Sequence, residues 1–213
     1  MQLVIGNHNY SSWSLRAWLL LRHFELDFEA VRIALFTPGS AEQIKSYNPA
    51  GKVPVLIDNG LTIWDSLSIC EYISEQHLQG KGWPADPALR AHARSSCAEM
   101  HTGFMALRHA LPMNCRRTVE NFVISAEVQQ DIDRIMQLWS GALNLSASEQ
   151  FLYGDFSIAD AFYAPVVFRL TGYGVPLPEQ LQTYCDHILA LPACQEWLKL
   201  AQQESEVIEE EEV

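Results

Sequence analysis

The stretch from Asn48 to Ser66 dictates its own local structure more tightly than any other part of this chain. Val53-Pro54-Val55-Leu56-Ile57 and Leu61-Thr62-Ile63-Trp64 are short apolar runs rich in strand-forming residues, and Asp58-Asn59-Gly60 between them supplies the positive-φ residues of a tight hairpin. The two runs are therefore predicted to pair antiparallel. Pro54 has no N–H to give to a ladder, so it belongs at a strand's first residue or edge, and it pushes Val53 into an extended conformation. An extended Val53 leaves main-chain groups free to pair with an extended peptide. Immediately after the second strand, Asp65-Ser66 opens an amphipathic pattern at Leu67, Ile69, Cys70 and Ile73. Either residue can cap that helix, whose N-terminal N–H groups and dipole favour an anion.

The preceding residues read as Leu3-Val4-Ile5, a short strand ended by Gly6, then a polar loop from Asn7 to Ser14. Leu15, Trp18, Leu19 and Leu21 follow at helical spacing, with Ser11, Ser12 or Ser14 as candidate caps. Val31, Ile33 and Leu35 alternate as in a strand, and residues 41–47 form a weak helical pattern. The order βαβ-α-ββα, with a crossover helix making the first two strands parallel, predicts a mixed sheet. Lys81-Gly82-Trp83-Pro84-Ala85-Asp86-Pro87 is rich in breakers and marks the boundary between an α/β unit, 1–80, and a second unit, 88–203. That second unit shows only helical periodicity, over 88–111, 119–145, 157–170, 179–190 and 193–203. Ser157-Ile158-Ala159-Asp160 has the form of a capping box, and Pro165 is expected to kink the helix it opens near Ala161.

These motifs carry a resemblance. Asn48-Pro49-x-x-Lys52-Val53-Pro54-Val55-Leu56 with an acidic-Ser pair before a helix resembles the glutathione-binding half of the cytosolic glutathione transferases, and Ser157-Ile158-Ala159-Asp160 resembles the buried capping motif of their helical domain. The resemblance implies a thioredoxin-like domain with a cis bond at Pro54, followed by an all-α domain, in a homodimer. It also implies that glutathione is the co-substrate. Lys52 belongs to its binding motif, Val53 pairs with its cysteinyl main chain, Ser66 binds its γ-glutamyl carboxylate and Asp65 faces its ammonium. Ser11-Ser12-Trp13-Ser14-Leu15-Arg16 resembles the Ser-Ser-Cys-Ser-x-Arg signature of the zeta class, the maleylacetoacetate isomerase-like transferases. That assigns the sulfur contact to Ser11 with Ser12 as its neighbour, while Trp13 stands where the class has cysteine and removes any chemistry borrowed from that thiol.

The chemistry of the loop is consistent with that role. A thiol attacks electrophiles as thiolate, and a helix N-terminus plus a hydroxyl donor stabilises that form. Tyr10 is the rival donor; Ser11 lies nearer the helix start, and a plain capping role for Ser11 stays open. Cys97 and His101, at i and i+4, with His109 and Cys115 beyond, have partial metal-ligand spacing, but without a compact second half they read as core and surface, and no metal is expected. His8 reads as an exposed loop histidine, with a proton shuttle as the alternative. Arg116 or Arg117 either attracts an anionic co-substrate or forms a solvated turn; Phe104 and Met105 read as core.

Charge narrows the partners. The chain is acidic, −12 over 213 residues, and half of that excess comes from six glutamates at 204, 206, 209, 210, 211 and 212. Residues 204–213 thus read as a disordered, solvated tail, and an acidic surface disfavours nucleic acid. Five scattered cysteines without C-x-x-C spacing suit free thiols in a reducing compartment, and no membrane span or leader is legible, so a cytoplasmic protein is expected. The function expected is conjugation of glutathione to a small electrophile by a serine-type enzyme. The alternatives are a glutathione-dependent cis-trans isomerase and a non-catalytic binding module on the same fold.

Overall fold

The structure is a computed structural model, and it describes residues 1–119, 122–148 and 150–212. Strands β1 (Gln2–Ile5), β2 (Glu29–Arg32), β3 (Val55–Asp58) and β4 (Leu61–Ile63) form one sheet in the order β2-β1-β3-β4. β1 and β2 run parallel across the helix α1 (Ser12–His23), whereas β1–β3 and β3–β4 are antiparallel, so the sheet is mixed as the element order predicts. The hairpin turn uses Asn59 and Gly60 at φ 48° and 80°. The Val53–Pro54 peptide is cis, and so is Trp64–Asp65. Helices α2 (Ser40–Tyr47) and α3 (Ser66–Gln76) complete the thioredoxin-like domain.

Beyond it, among the described residues, lie only helices: α4 (Pro87–Thr102), α5 (Met105–Ala110), α6 (Ala126–Ser146), α7 (Ile158–Gly172), α8 (Glu179–Ala190) and α9 (Pro192–Gln203). α7 is buried on every side from Ile158 to Leu170 and packs against α1, α4 and α8, so it is the axle on which both domains turn their apolar faces. Among the described residues no helix is long and apolar enough to cross a membrane.

Several expectations change here. The pattern over 88–111 is two helices, because Gly103 turns extended after Thr102 and Phe104 sits at φ 60°. A Cβ at Gly103 would lie 2.9 Å from the Glu99 carbonyl oxygen, so the break needs glycine. The pattern over 119–145 becomes a helix only at Ala126, capped by Ser125; residues 120–121 of that span lie outside the described residues. β2 ends at Arg32, with Ile33 adding one last bond to Ile5 and the alternation at Leu35 continuing into a turn.

Residues 204–212, acidic and read from composition as a solvated tail, run back over the β1–α1 loop. Glu204 accepts from the main-chain N–H groups of His8 and Asn9 at 2.7 and 3.0 Å, and its carboxylate meets His8 Nδ1 at 2.9 Å. His8 is accordingly buried, at 7% exposure, rather than an exposed loop residue. Arg116 donates to the main-chain carbonyls of Glu204 and Glu206 and Arg32 to the Glu206 carboxylate, so basic side chains far away in sequence hold the tail's backbone and part of its charge. Arg116 is therefore a tail clamp, not a free cation awaiting a co-substrate.

Burial pushes the Glu204 carboxyl up, but its bonds to His8 and Asn9 outweigh that and hold it below the usual carboxylate range. A depressed folded-state pKa contributes stability above the unfolded value, near 4.3, and loses it as pH falls through the folded one. Glu204→Ala is expected to cost about 3 kcal/mol in urea unfolding at pH 7, since two buried N–H groups lose their acceptor. The difference between variant and wild type should shrink as pH is lowered below about 4.

Candidate functional site

A cavity of about 860 Å³ opens between the thioredoxin-like domain and the helical domain. The sequence builds it where three parts of the chain converge: the segment leading into β3, the N-terminus of α3 and the N-terminus of α1. Lys52, Val53, Asp65, Ser66, Tyr10, Ser11 and Ser12, all singled out from the sequence, line it together. Phe36 and Trp64 form its exposed lip, at 82% and 52% exposure.

Along one wall, Val53 precedes β3, and among the described residues neither its N–H nor its C=O takes a hydrogen-bond partner. Next to it α3 begins. Asp65 caps the helix with Oδ1, accepting from Leu67 and Ser68 at 3.0 and 3.4 Å. Ser66 is fully buried, yet among the described residues its hydroxyl has no partner. A buried hydroxyl left unmet costs about 1–3 kcal/mol, and at a helix N-terminus in a cavity wall the group that would meet it is an anion.

The floor is the start of α1. Gly6 lets the loop approach β2's continuation closely, since a Cβ there would stand 2.7 Å from Leu35 Cδ1. Ser11 is the N-cap by position, but its hydroxyl makes no capping bond and instead meets Ser14 Oγ at 2.7 Å, which also accepts from Gly6 N. Ser12 Oγ accepts from Arg169 Nη2 at 3.3 Å. Tyr10 is differently placed: its hydroxyl accepts from Arg116 and donates to Glu212 Oε1 at 2.5 Å. Burial and the Glu212 carboxylate both push the Tyr10 phenol up.

Two features were not legible in the sequence. His101, read there as half of a weak metal-ligand pair, lies in the cavity with Nε2 3.0 Å from Asp65 Oδ2 and its ring edge-on to Trp13. Its supposed neighbour Cys97 is buried in the core. The other feature is a cluster of arginines around Trp13. Arg16 and Arg108 lie over its ring at 4.2 and 5.1 Å, and Arg169 lines the cavity nearby. Arg16 is fully buried with no partner for any guanidinium nitrogen among the described residues, and burial followed by the charges of Arg108 and Arg169 lowers its pKa to about 9. It remains cationic at neutral pH, so the floor favours anions. Phe104 is core, as read, whereas Met105 is exposed.

The chain brings no thiolate of its own. Burial pushes all five cysteines up, Cys115, Cys185 and Cys194 to about 12. The cavity floor therefore favours an anion that none of the five cysteines supplies.

The sequence profile of the glutathione S-transferase N-terminal domain matches residues 10–76, which hold every element of this cavity contributed by the sheet side. Residues 10–76 therefore form a glutathione S-transferase N-terminal domain. Among the curated relatives, a probable maleylacetoacetate isomerase of Caenorhabditis elegans is 26% identical over 78% of this chain and 77% of its own length. The maleylacetoacetate isomerase of Pseudomonas aeruginosa is 27% identical over 83% and 84%. Among solved structures, a glutathione transferase homolog from Burkholderia with bound glutathione superposes with a TM-score of 0.72 at 25% identity, covering 95% of this chain and 98% of that one.

Proposed function

We propose that this protein is a glutathione transferase of the serine type. Glutathione lies extended along the cavity wall, its cysteinyl main chain paired with Val53. Its γ-glutamyl carboxylate takes the Ser66 hydroxyl and the α3 N-terminus, its ammonium faces Asp65, and Lys52 stands beside it in the wall. Its sulfur rests at the start of α1, where the Ser11 hydroxyl donates to it and holds it as thiolate. The unmet, fully buried Ser66 hydroxyl, in the lining of the same cavity as the unpaired main chain of Val53, is the observation that carries this reading. Tyr10 is the weaker donor: the Glu212 carboxylate that takes its proton can only accept, whereas Ser14 has a proton of its own to give back to Ser11 and so leaves the Ser11 proton free for the sulfur.

The thiolate attacks an electrophilic carbon of a small substrate held between Phe36, Trp64 and the arginine side of the cavity, forming a carbon–sulfur bond and expelling a leaving group or taking up a proton. Naming the electrophile's reaction divides the reading in two. In conjugation the thioether is released. In the alternative, cis-trans isomerisation of maleylacetoacetate type, the thiolate adds to a double bond, the adduct rotates and the sulfur departs, so glutathione is regenerated. The relatives named for that isomerase favour carrying the second reaction alongside the first. A homodimer in the cytoplasm belongs to the same proposal, supported by the family and by the five free cysteines.

Turnover in the presence of glutathione and a panel of α,β-unsaturated and aryl electrophiles, followed by mass spectrometry, tests this. A thioether formed as glutathione disappears supports conjugation, and isomerised product with glutathione unchanged supports the alternative. Binding of glutathione without either product would reduce the protein to a binding module.

Ser66→Ala is expected to weaken glutathione binding about tenfold or more, since a hydrogen bond to a charged group contributes about 1.5–3 kcal/mol. Calorimetry would show this with little change in thermal stability, because the hydroxyl has no internal partner to lose.

A further inference from the structure

Arg169 is a cation sunk in the core of α7, 5% exposed, and its hydrogen-bond partners include no carboxylate. Nε donates to the Leu111 carbonyl at 2.8 Å, Nη1 to the Pro165 carbonyl at 3.2 Å and Nη2 to Ser12 Oγ at 3.3 Å. The first two bonds fix the plane of the guanidinium, and the third aims it at the first residue of α1. A guanidinium only donates, so Ser12 Oγ is bound to accept there. A hydroxyl that accepts from one side has its single proton turned elsewhere, and Ser12 lines the cavity. Ser11, by contrast, already shares its hydroxyl with Ser14.

We propose that Arg169 is a positioning residue that turns the Ser12 hydroxyl toward the glutathione sulfur and makes Ser12 a second donor to the thiolate beside Ser11. The inference rests on the glutathione reading above. A cation behind a hydroxyl polarises it, so the chain from guanidinium to hydroxyl to sulfur strengthens each bond in it. No covalent step is involved: the proton lost from the thiol passes to solvent, and Arg169 and Ser12 keep theirs. The charged groups near Arg169 are Arg16 and Arg108, which disfavour its charge, and Glu211, which favours it; Cys115 and Tyr173, also near it, are held neutral by burial. Burial lowers its pKa to about 10, so it stays charged over the range in which a bound thiol titrates.

The test is the pKa of enzyme-bound glutathione, followed through the ultraviolet absorbance of its thiolate as pH is raised, in wild type, Ser12→Ala, Arg169→Met, Arg169→Lys and the Ser12→Ala/Arg169→Met double variant. Each of the Ala and Met variants should raise that pKa by about one pH unit, a tenfold loss of thiolate below it. The double variant should shift no further than either single one, and Arg169→Lys should restore part of the effect. S-methylglutathione, which has no ionisable thiol, should bind all variants alike. If Arg169→Met does not fold, Ser12→Ala and Arg169→Lys still decide. An unmoved thiol pKa in Ser12→Ala, or additive shifts in the double variant, would overturn the inference while leaving glutathione binding intact. Failure of wild type to bind either ligand would instead remove the reading on which it rests.

Discussion

Replacing Asp160 with alanine is expected to lower unfolding free energy by about 3–5 kcal/mol, because it strands several buried donors at once. The carboxylate is fully buried at the third position of α7 and accepts from Leu152 N at 3.0 Å, Ser157 N at 2.9 Å, Ser157 Oγ at 3.2 Å and the Tyr184 hydroxyl at 3.3 Å. It thereby ties the loop before α7, the helix itself and α8 together, and α7 carries the packing of both domains. For a chain of this size the loss corresponds to a fall in melting temperature of about 10 °C, read by calorimetry. Burial raises the Asp160 pKa to about 6, above its unfolded value, so its contribution declines as pH rises from about 4 toward 6. Asp160→Asn should abolish that slope.

The second large effect is on turnover. Ser11→Ala should lower kcat/KM at neutral pH by about 10²-fold, the usual consequence of removing one preorganised donor from a developing or stored anion. The loss has a pH signature: above about 8.5 the thiol ionises unaided, so variant and wild type should converge there. Tyr10→Phe should change turnover far less, since its hydroxyl serves the tail. A reversed order, with Tyr10→Phe the more damaging and Ser11→Ala nearly silent, would move the sulfur contact to Tyr10. Stopped-flow rates across pH 6 to 9 with one electrophile would separate these outcomes.

What the sequence made legible was whatever is decided within a few residues. The Asn59-Gly60 turn and the capping box at Ser157 each follow from local backbone chemistry, and each is where the reading placed it. The cavity's second half was not legible, because its contacts cross most of the chain. Ser12 and Arg169 are 157 residues apart, His8 and Glu204 are 196 apart, and no periodicity links them. The tail shows the physical reason most plainly. Six glutamates count as a solvated run when summed over a window, but in three dimensions His8 and Arg32 meet the carboxylates of Glu204 and Glu206 and Arg116 holds the main chain beside them. The break at Gly103 was hidden similarly: helical spacing persists on both sides, and only the contact with the Glu99 carbonyl marks the glycine as obligatory.

The central claim is that an extended tripeptide thiol occupies the groove between Val53 and the two helix starts. Titration calorimetry of the purified, ligand-free protein with glutathione tests it most directly. One saturable site per chain is predicted, with affinity sharply reduced in Ser66→Ala. Absence of saturable heat at millimolar glutathione in the wild-type protein would contradict the account.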